Sequence, residues 1–256
     1  MTAKDKTTTD VATTTDAKDQ VTGLALPSFL ATQAPVTVSG TEDMPEDFTT
    51  PRIQLAQAMS PQVKKKDPEY IQDLEEGVFF HALHRKPMGE SFTATILKIY
   101  DSRTLFDEDN TVDCYSSDTI HGSKHEDKCA DCPLKDWIDG APPACQTFQN
   151  HIVALDNGEA AIISIRKSNK AATTEAKNIR TQARLCERSG HGLFAYKFRF
   201  ESKAAMNAKK QSYFIISAMP DGIVESEEKY LELKEMAEQF SDYNKMPVKG
   251  ANNGAK

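Results

Sequence analysis

Four of the chain's five cysteines, Cys114, Cys129, Cys132 and Cys145, fall in one short stretch with the spacing C-x14-C-x2-C-x12-C. Two thiolates separated by two residues can bind one tetrahedral Zn²⁺ without straining the backbone, and two further cysteines complete a closed site. The surrounding segment, from Asp107 to Asp139, carries acidic residues throughout. Its few large apolar side chains include Val112, Leu134, Trp137 and Ile138. Such a stretch cannot build a core of its own, and metal binding can supply the missing folding free energy. His121 and His125 lie between the first two cysteines. Either could replace Cys114 and give a Cys3His set, so the ligand choice stays open here. A catalytic zinc centre is not expected. There is no HExxH, His125 and Glu126 are adjacent, and Lys128 rather than proline precedes the CxxC pair.

The remaining cysteine, Cys186, sits on the apolar stripe of an expected helix and reads as a core residue. An odd cysteine count, a CxxC pair and no apolar leader in MTAKDKTTTDVATTTDAKDQ point to a reducing compartment, the cytoplasm. No apolar run approaches the ~18 residues a membrane span needs, so no membrane association is expected.

Residues 1–48 are rich in Thr, Ala, Asp and Lys without a sustained period, and read as a disordered tail. Leu24, Leu26, Phe29 and Leu30 form a small apolar island within it. From Pro51 the pattern changes. PRIQLAQAM alternates like a strand until Pro61, and GVFFHALH reads as a short strand broken by Pro87 and Gly89. Residues 91–106 are rich in Thr, Ile, Phe and Tyr and read as a long strand.

Two further strand-like runs, 147–155 and 159–167, flank Asp156-Asn157-Gly158. Asn-Gly there predicts a hairpin through a type I′ turn, which needs positive φ at both central residues. Ala172, Ala176, Ile179, Ala183 and Cys186 recur at helical spacing, so residues 169–188 read as a helix with Ser168 as its N-cap. Residues 193–202 alternate again, with Phe194, Tyr196, Phe198 and Phe200 on one face. A partner strand follows at 212–219, ended by Pro220-Asp221-Gly222. Residues 223–256 hold an acidic helix with Tyr230, Leu233, Met236, Ala237 and Phe240 at helical spacing, then a loose tail.

From residue 91 the order is strand, cysteine-rich insertion, strand, turn, strand, helix, strand, strand. That is the order of an OB-fold, a small Greek-key barrel that binds oligonucleotides. The expected architecture is mainly β with flanking helices. An OB-like domain over 49–222 carries a zinc-binding insertion at 107–146, and the strands near 51–59 and 77–83 extend or cap the barrel.

The chain is acidic overall, with net charge −7, yet residues 166–210 carry an excess of +9. Such asymmetry suggests a basic working surface on an otherwise acidic protein, although a solvated helix face would look the same. Arg166, Lys167, Lys177, Arg180, Arg184, Lys197, Arg199 and Lys203 are its candidate phosphate contacts. Tyr100 and Arg103 add candidate stacking and charge, with Phe106, Phe148 and Tyr213 behind them. Positive charge mixed with π-surface is what single-stranded nucleic acid requires. The aromatic run at 194–200 reads first as barrel interior and second as a stacking platform. GxxxxGK[ST], GxSxG and GxGxxG are all absent, so an enzyme is not expected.

The stretch Cys114-Tyr-Ser-Ser-Asp, Cys129-Ala-Asp-Cys132-Pro-Leu-Lys-Asp-Trp137 and Pro142-Pro-Ala-Cys145, followed by SIRKS, resembles a group of tailed-phage proteins. PRIQLAQAMSPQV is also similar to theirs. The likeness covers roughly residues 50–220. Members of the group look like OB-fold single-stranded-DNA-binding proteins with a structural zinc. The resemblance implies Cys114, Cys129, Cys132 and Cys145 as ligands. It also implies non-catalytic single-stranded DNA binding in phage replication or recombination, in the host cytoplasm. Many such proteins end in an acidic peptide that recruits replication partners. Here the acidity lies in the helix 225–243, which is the candidate for contact with replication or recombination proteins. Two rival functions remain: a zinc-stabilised protein-interaction module acting on a host complex, and a metal-dependent nuclease.

Overall fold

A computed structural model describes residues 50–109, 111–124, 128–136, 138, 142–207 and 210–243. The expected N-terminal tail, its apolar island, His125, Trp137 and the terminal MPVKGANNGAK lie outside the described residues. Among those described, one mixed sheet contains β1 (Arg52–Leu55), β2 (Phe79–His81), β3 (Lys86–Gly89), β4 (Ser91–Phe106), β5 (Val112–Ser116), β6 (Gln146–Ala154), β7 (Ala160–Arg166), β8 (Tyr196–Met206) and β9 (Ser212–Ile223). Two helices, α1 (Lys170–Glu187) and α2 (Glu227–Gln239), pack on it.

The strand order is β3-β2-β1-β7-β6-β4-β8-β9, with β5 paired to β4 beside this path. All pairs are antiparallel except β1 with β7, which run parallel with Arg52 opposite Ile162. β1 and β9 are separated by four strands in this order, yet the Gln57 side chain just past β1 bonds the Phe214 backbone of β9 at 2.9 Å. The sheet is therefore curled into a partly closed barrel.

The interior is filled by alternate residues of the strands, among them Ile96, Val153, Ile163, Phe198 and Phe200. α1 closes it with the stripe Ala172, Ala176, Ile179, Ala183 and Cys186, every one buried. Alanine at three of these five positions lets the helix axis approach the strands closely. The aromatic run at 194–200 is thus interior at Phe198 and Phe200, while Phe194 packs against Tyr230 outside the barrel.

The outer surface of β4, β6 and β7 is partly covered by α2. Leu233 is only 1% exposed and meets Leu97, Tyr100, Ile152, Ala154 and Ile162. Burying such a leucine contributes about 2 kcal/mol. A third cluster, Ala56, Ile71, Leu74 and Phe80, roofs the segment between β1 and β2.

Several local expectations are corrected. Asn169, not Ser168, caps α1, its Oδ1 accepting from the Ala172 N–H at 2.9 Å. The 155–159 turn is not type I′. The Gly158 N–H donates to Leu155 O, and of the Asn157-Gly158 pair only Gly158 has positive φ, at 83°. That is a type I turn followed by a left-handed glycine. Pro220-Asp221-Gly222 does not end β9, which continues to Ile223 across a register shift opposite Lys197/Phe198. Pro87 and Gly89 belong to β3, where an edge position tolerates a residue without an N–H. The cysteine-rich segment contributes a strand of its own, β5.

Candidate nucleic-acid interface and metal centre

β5 adds to the far end of β4, and its register puts Cys114 opposite Leu105. The chain then crosses a bridge between His121 and Lys128 and turns, with the Asp131 N–H bonded to Lys128 O at 2.9 Å. Cys129 lies within that turn and Cys132 directly follows it. Cys132 leads into a single 3₁₀ turn at Pro133–Lys135, and the Cys145 N–H bonds Leu134 O at 2.9 Å immediately before β6. These hydrogen bonds bring all four cysteines to the lining of one cavity of about 440 Å³, together with Arg103, Leu105 and Lys135.

Burial pushes the Cys145 thiol up, the Arg103 guanidinium pulls it down, and the sulfurs of Cys129, Cys132 and Cys114 push it up again. A soft, fourfold thiol set of this kind suits tetrahedral Zn²⁺. Among the described residues, His81, His84 and Glu159 bring candidate ligand atoms within 4.8 Å of one another. His121 is turned away. Its Nδ1 lies 2.9 Å from Asp118 Oδ2 and its side chain is largely exposed. Cys186 is buried in α1, as a core residue.

Three further cavities follow the cysteine cavity in series, each sharing wall residues with the next. The cysteine cavity shares Lys135 and Cys145 with a cavity lined by Arg166, Lys167 and Ser168. That cavity shares Arg166 and Ser168 with a cleft of about 600 Å³ between β1, β7 and β9, where Arg52, Ser164 and Tyr213 stand. The cleft continues through Asn169 and Tyr213 to a hollow lined by Met59, Lys170, Glu175, Met206 and Gln211. This series of adjoining cavities, the candidate groove, follows a path from the cysteine-rich segment, past the N-terminus of α1, to the β8–β9 connection. Arg103, Lys135, Arg166, Lys167, Arg52 and Lys170 line it, against the acids Asp131 and Glu175.

The ten residues proposed from sequence for nucleic acid are distributed unevenly. Arg103, Arg166 and Lys167 line the groove. Lys167 and Arg180 both reach Asp101, at 3.0 and 2.7 Å. Arg180 and Arg184 line a different cavity, beside Tyr100, Asp118 and Glu187. Lys177 lies exposed on α1. Lys197 sits 3.8 Å from Glu225, Arg199 2.9 Å from Glu201, and Lys203 3.8 Å from Glu175. Tyr100 is buried under α2 beside Tyr243, and burial pushes its hydroxyl far above the ordinary tyrosine range. Arg52, Lys135 and Lys170 are groove cations that are not among those ten. The outward position of Arg52 in the alternation of PRIQL was the available signal.

Among the described residues no helix is long and apolar enough to cross a membrane. No curated protein and no solved structure matches the chain. A family model described as Pam3 phage gp34-like protein matches residues 17–245. That match spans most of the chain, which therefore belongs to the Pam3 phage gp34-like protein family, a family of phage proteins.

Proposed function

We propose that this chain is a non-catalytic single-stranded-DNA-binding protein of phage replication or recombination, built on an OB-type barrel with a structural zinc. The observation that carries the reading is the groove. It begins at the insertion between the first two barrel strands, β4 and β6, and ends at the connection between the last two, β8 and β9. In an OB barrel these two connections border the oligonucleotide site. The order β7-β6-β4-β8-β9, with a helix between β7 and β8, supports the same assignment.

In this reading Arg52, Arg166 and Lys167 neutralise phosphates, and Tyr213 offers a ring to a base. The positive end of the α1 dipole adds a further attraction for a phosphate. Cys114, Cys129, Cys132 and Cys145 hold Zn²⁺ and so give one wall of the groove a fixed shape. The outer face of α2, rich in Glu, is left for replication or recombination partners.

The test is fluorescence anisotropy of a labelled thymidine oligomer beside a duplex of equal length, at low and moderate salt. Salt-sensitive binding that favours the single strand is expected. No binding to either strand form overturns the reading, and Mg²⁺-dependent loss of the label would replace it with a nuclease.

A further inference from the structure

Three side chains outside both the groove and the cysteine cavity converge on one point. His81 ends β2, His84 stands in the turn to β3, and Glu159 leads into β7 directly after the Asn157-Gly158 turn. His81 Nε2 and His84 Nε2 each lie 3.2 Å from the same oxygen, Glu159 Oε1. The two imidazoles stack at 4.3 Å between ring centres. His81 is 4% exposed, and its Nε2 approaches the carboxylate without hydrogen-bond alignment, so that nitrogen has no hydrogen-bond partner. A buried imidazole nitrogen without an aligned hydrogen bond, 3.2 Å from a carboxylate oxygen and beside a second imidazole, asks for an explanation, and a bound ion would supply one.

We propose that His81, His84 and Glu159 bind a divalent transition-metal ion at a site separate from the cysteines. With metal–ligand bonds of about 2.0–2.1 Å, a tetrahedral site has ligand-to-ligand edges of roughly 3.3 Å. The two imidazole-to-carboxylate distances already stand at that value. Two nitrogens and one oxygen select Zn²⁺, Co²⁺ or Ni²⁺ over Mg²⁺ and Ca²⁺, which take oxygen ligands. The carboxylate is held in place from behind. Asn157 Oδ1 accepts from the Glu159 N–H at 3.0 Å, and Asn157 Nδ2 lies 3.5 Å from Glu159 Oε2. His84 is about one-third exposed, and its open side admits water to the remaining coordination position.

One contact must yield. The His84 N–H donates to His81 Nδ1 at 3.2 Å, which puts the ring proton of neutral His81 on Nε2. Metal binding at Nε2 moves that proton to Nδ1 and opens the amide contact. The bound ion then fastens the β2–β3 hairpin to the β6–β7 turn.

The experiment is a Co²⁺ titration of the full chain, followed by visible absorption and metal counting. One equivalent is expected to bind with d–d absorption and no thiolate charge-transfer band. His84→Ala and Glu159→Gln each abolish that equivalent while circular dichroism stays unchanged, and Cys132→Ser leaves it in place. If wild type binds only thiolate-linked cobalt, or none, the proposal falls. It falls equally if the thiolate-free equivalent survives both substitutions. The histidine equivalent is counted whether or not the cysteines take metal, so the two sites succeed or fail separately.

Discussion

Gln57, just past β1, and Phe214, on the edge strand β9, close the curl of the sheet: the Gln57 carboxamide donates to the Phe214 carbonyl and accepts from the Phe214 N–H, both at 2.9 Å. One side chain thereby pairs two backbone groups on the open edge of β9, where a further strand would otherwise bond. Gln57→Glu keeps the size and removes the donor, setting a carboxylate against a carbonyl. The expected loss is about 1–3 kcal/mol, read by urea denaturation. Unchanged stability would mean that the seam is held by side-chain packing alone.

Gly77 lies under the ring of Phe214. Its φ is +82°, and a Cβ there would come within 2.7 Å of the Phe214 ring. Gly77→Ala combines a left-handed backbone with that clash, and about 1–3 kcal/mol of stability should go. Gly77→Ala with Phe214→Leu should recover part of it, because the clash has gone and only the backbone strain remains.

In the DNA reading, Arg52→Ala and Arg166→Ala should each flatten the slope of log affinity against log salt by about one unit. Lys177→Ala, on the exposed side of α1 and off the groove, should leave the slope alone. Arg180→Ala removes one of the two cations held by Asp101 and is expected to act mainly on stability. An equal flattening by Lys177→Ala would move the DNA path onto α1.

His151 gives the fold an acid limit. It is fully buried, which pushes its imidazole from the ordinary 6.5 down to about 4. Gln149 Nε2 donates to its Nε2 at 3.0 Å and also bonds Ala176 O of α1 at 2.8 Å. The folded state therefore binds fewer protons than the unfolded chain between these two values. Stability from this group is fully present above pH 6.5 and is lost as the pH falls toward 4, by about 3 kcal/mol in all. His151→Gln keeps a hydrogen-bond acceptor and should flatten that loss when unfolding midpoints are compared at pH 7 and pH 5.

In the zinc reading, metal removal should loosen one segment and spare the barrel. Under a strong chelator, or in Cys132→Ser, backbone amides within 112–146 should lose exchange protection. The β4–β6 ladder around Tyr100 and Asn150 should keep it. Hydrogen exchange read by mass spectrometry separates the two regions. Uniform loss would make the metal a condition for the whole fold.

What could be read from the residues was the local pattern. The alanine-rich stripe of α1, the interior Phe198 and Phe200, and the buried Leu233 each declare themselves by period. Pairing over distance did not. β1 has four residues, and nothing in RIQL announces a parallel partner more than a hundred residues later. β3 was hidden by Pro87 and Gly89, which break strands except at an edge. The basic segment looked freer than it is. Asp101, Glu175, Glu201 and Glu225 claim its cations only once the barrel has brought them near. His81, His84 and Glu159 drew no notice because the third member comes from a distant turn.

The parallel pairing of β1 with β7, and the seam beyond it, set an order of events on the ribosome. Gln57 is 157 residues ahead of Phe214. At ~5–20 residues per second that is about 8–30 s of synthesis. When Ile53 and Phe79 emerge, their core neighbours Ile163, Phe198 and Phe200 are still to be made. β1 and β2 can pair with each other early, but the interior face they present waits for β7, β8 and β9 to cover it.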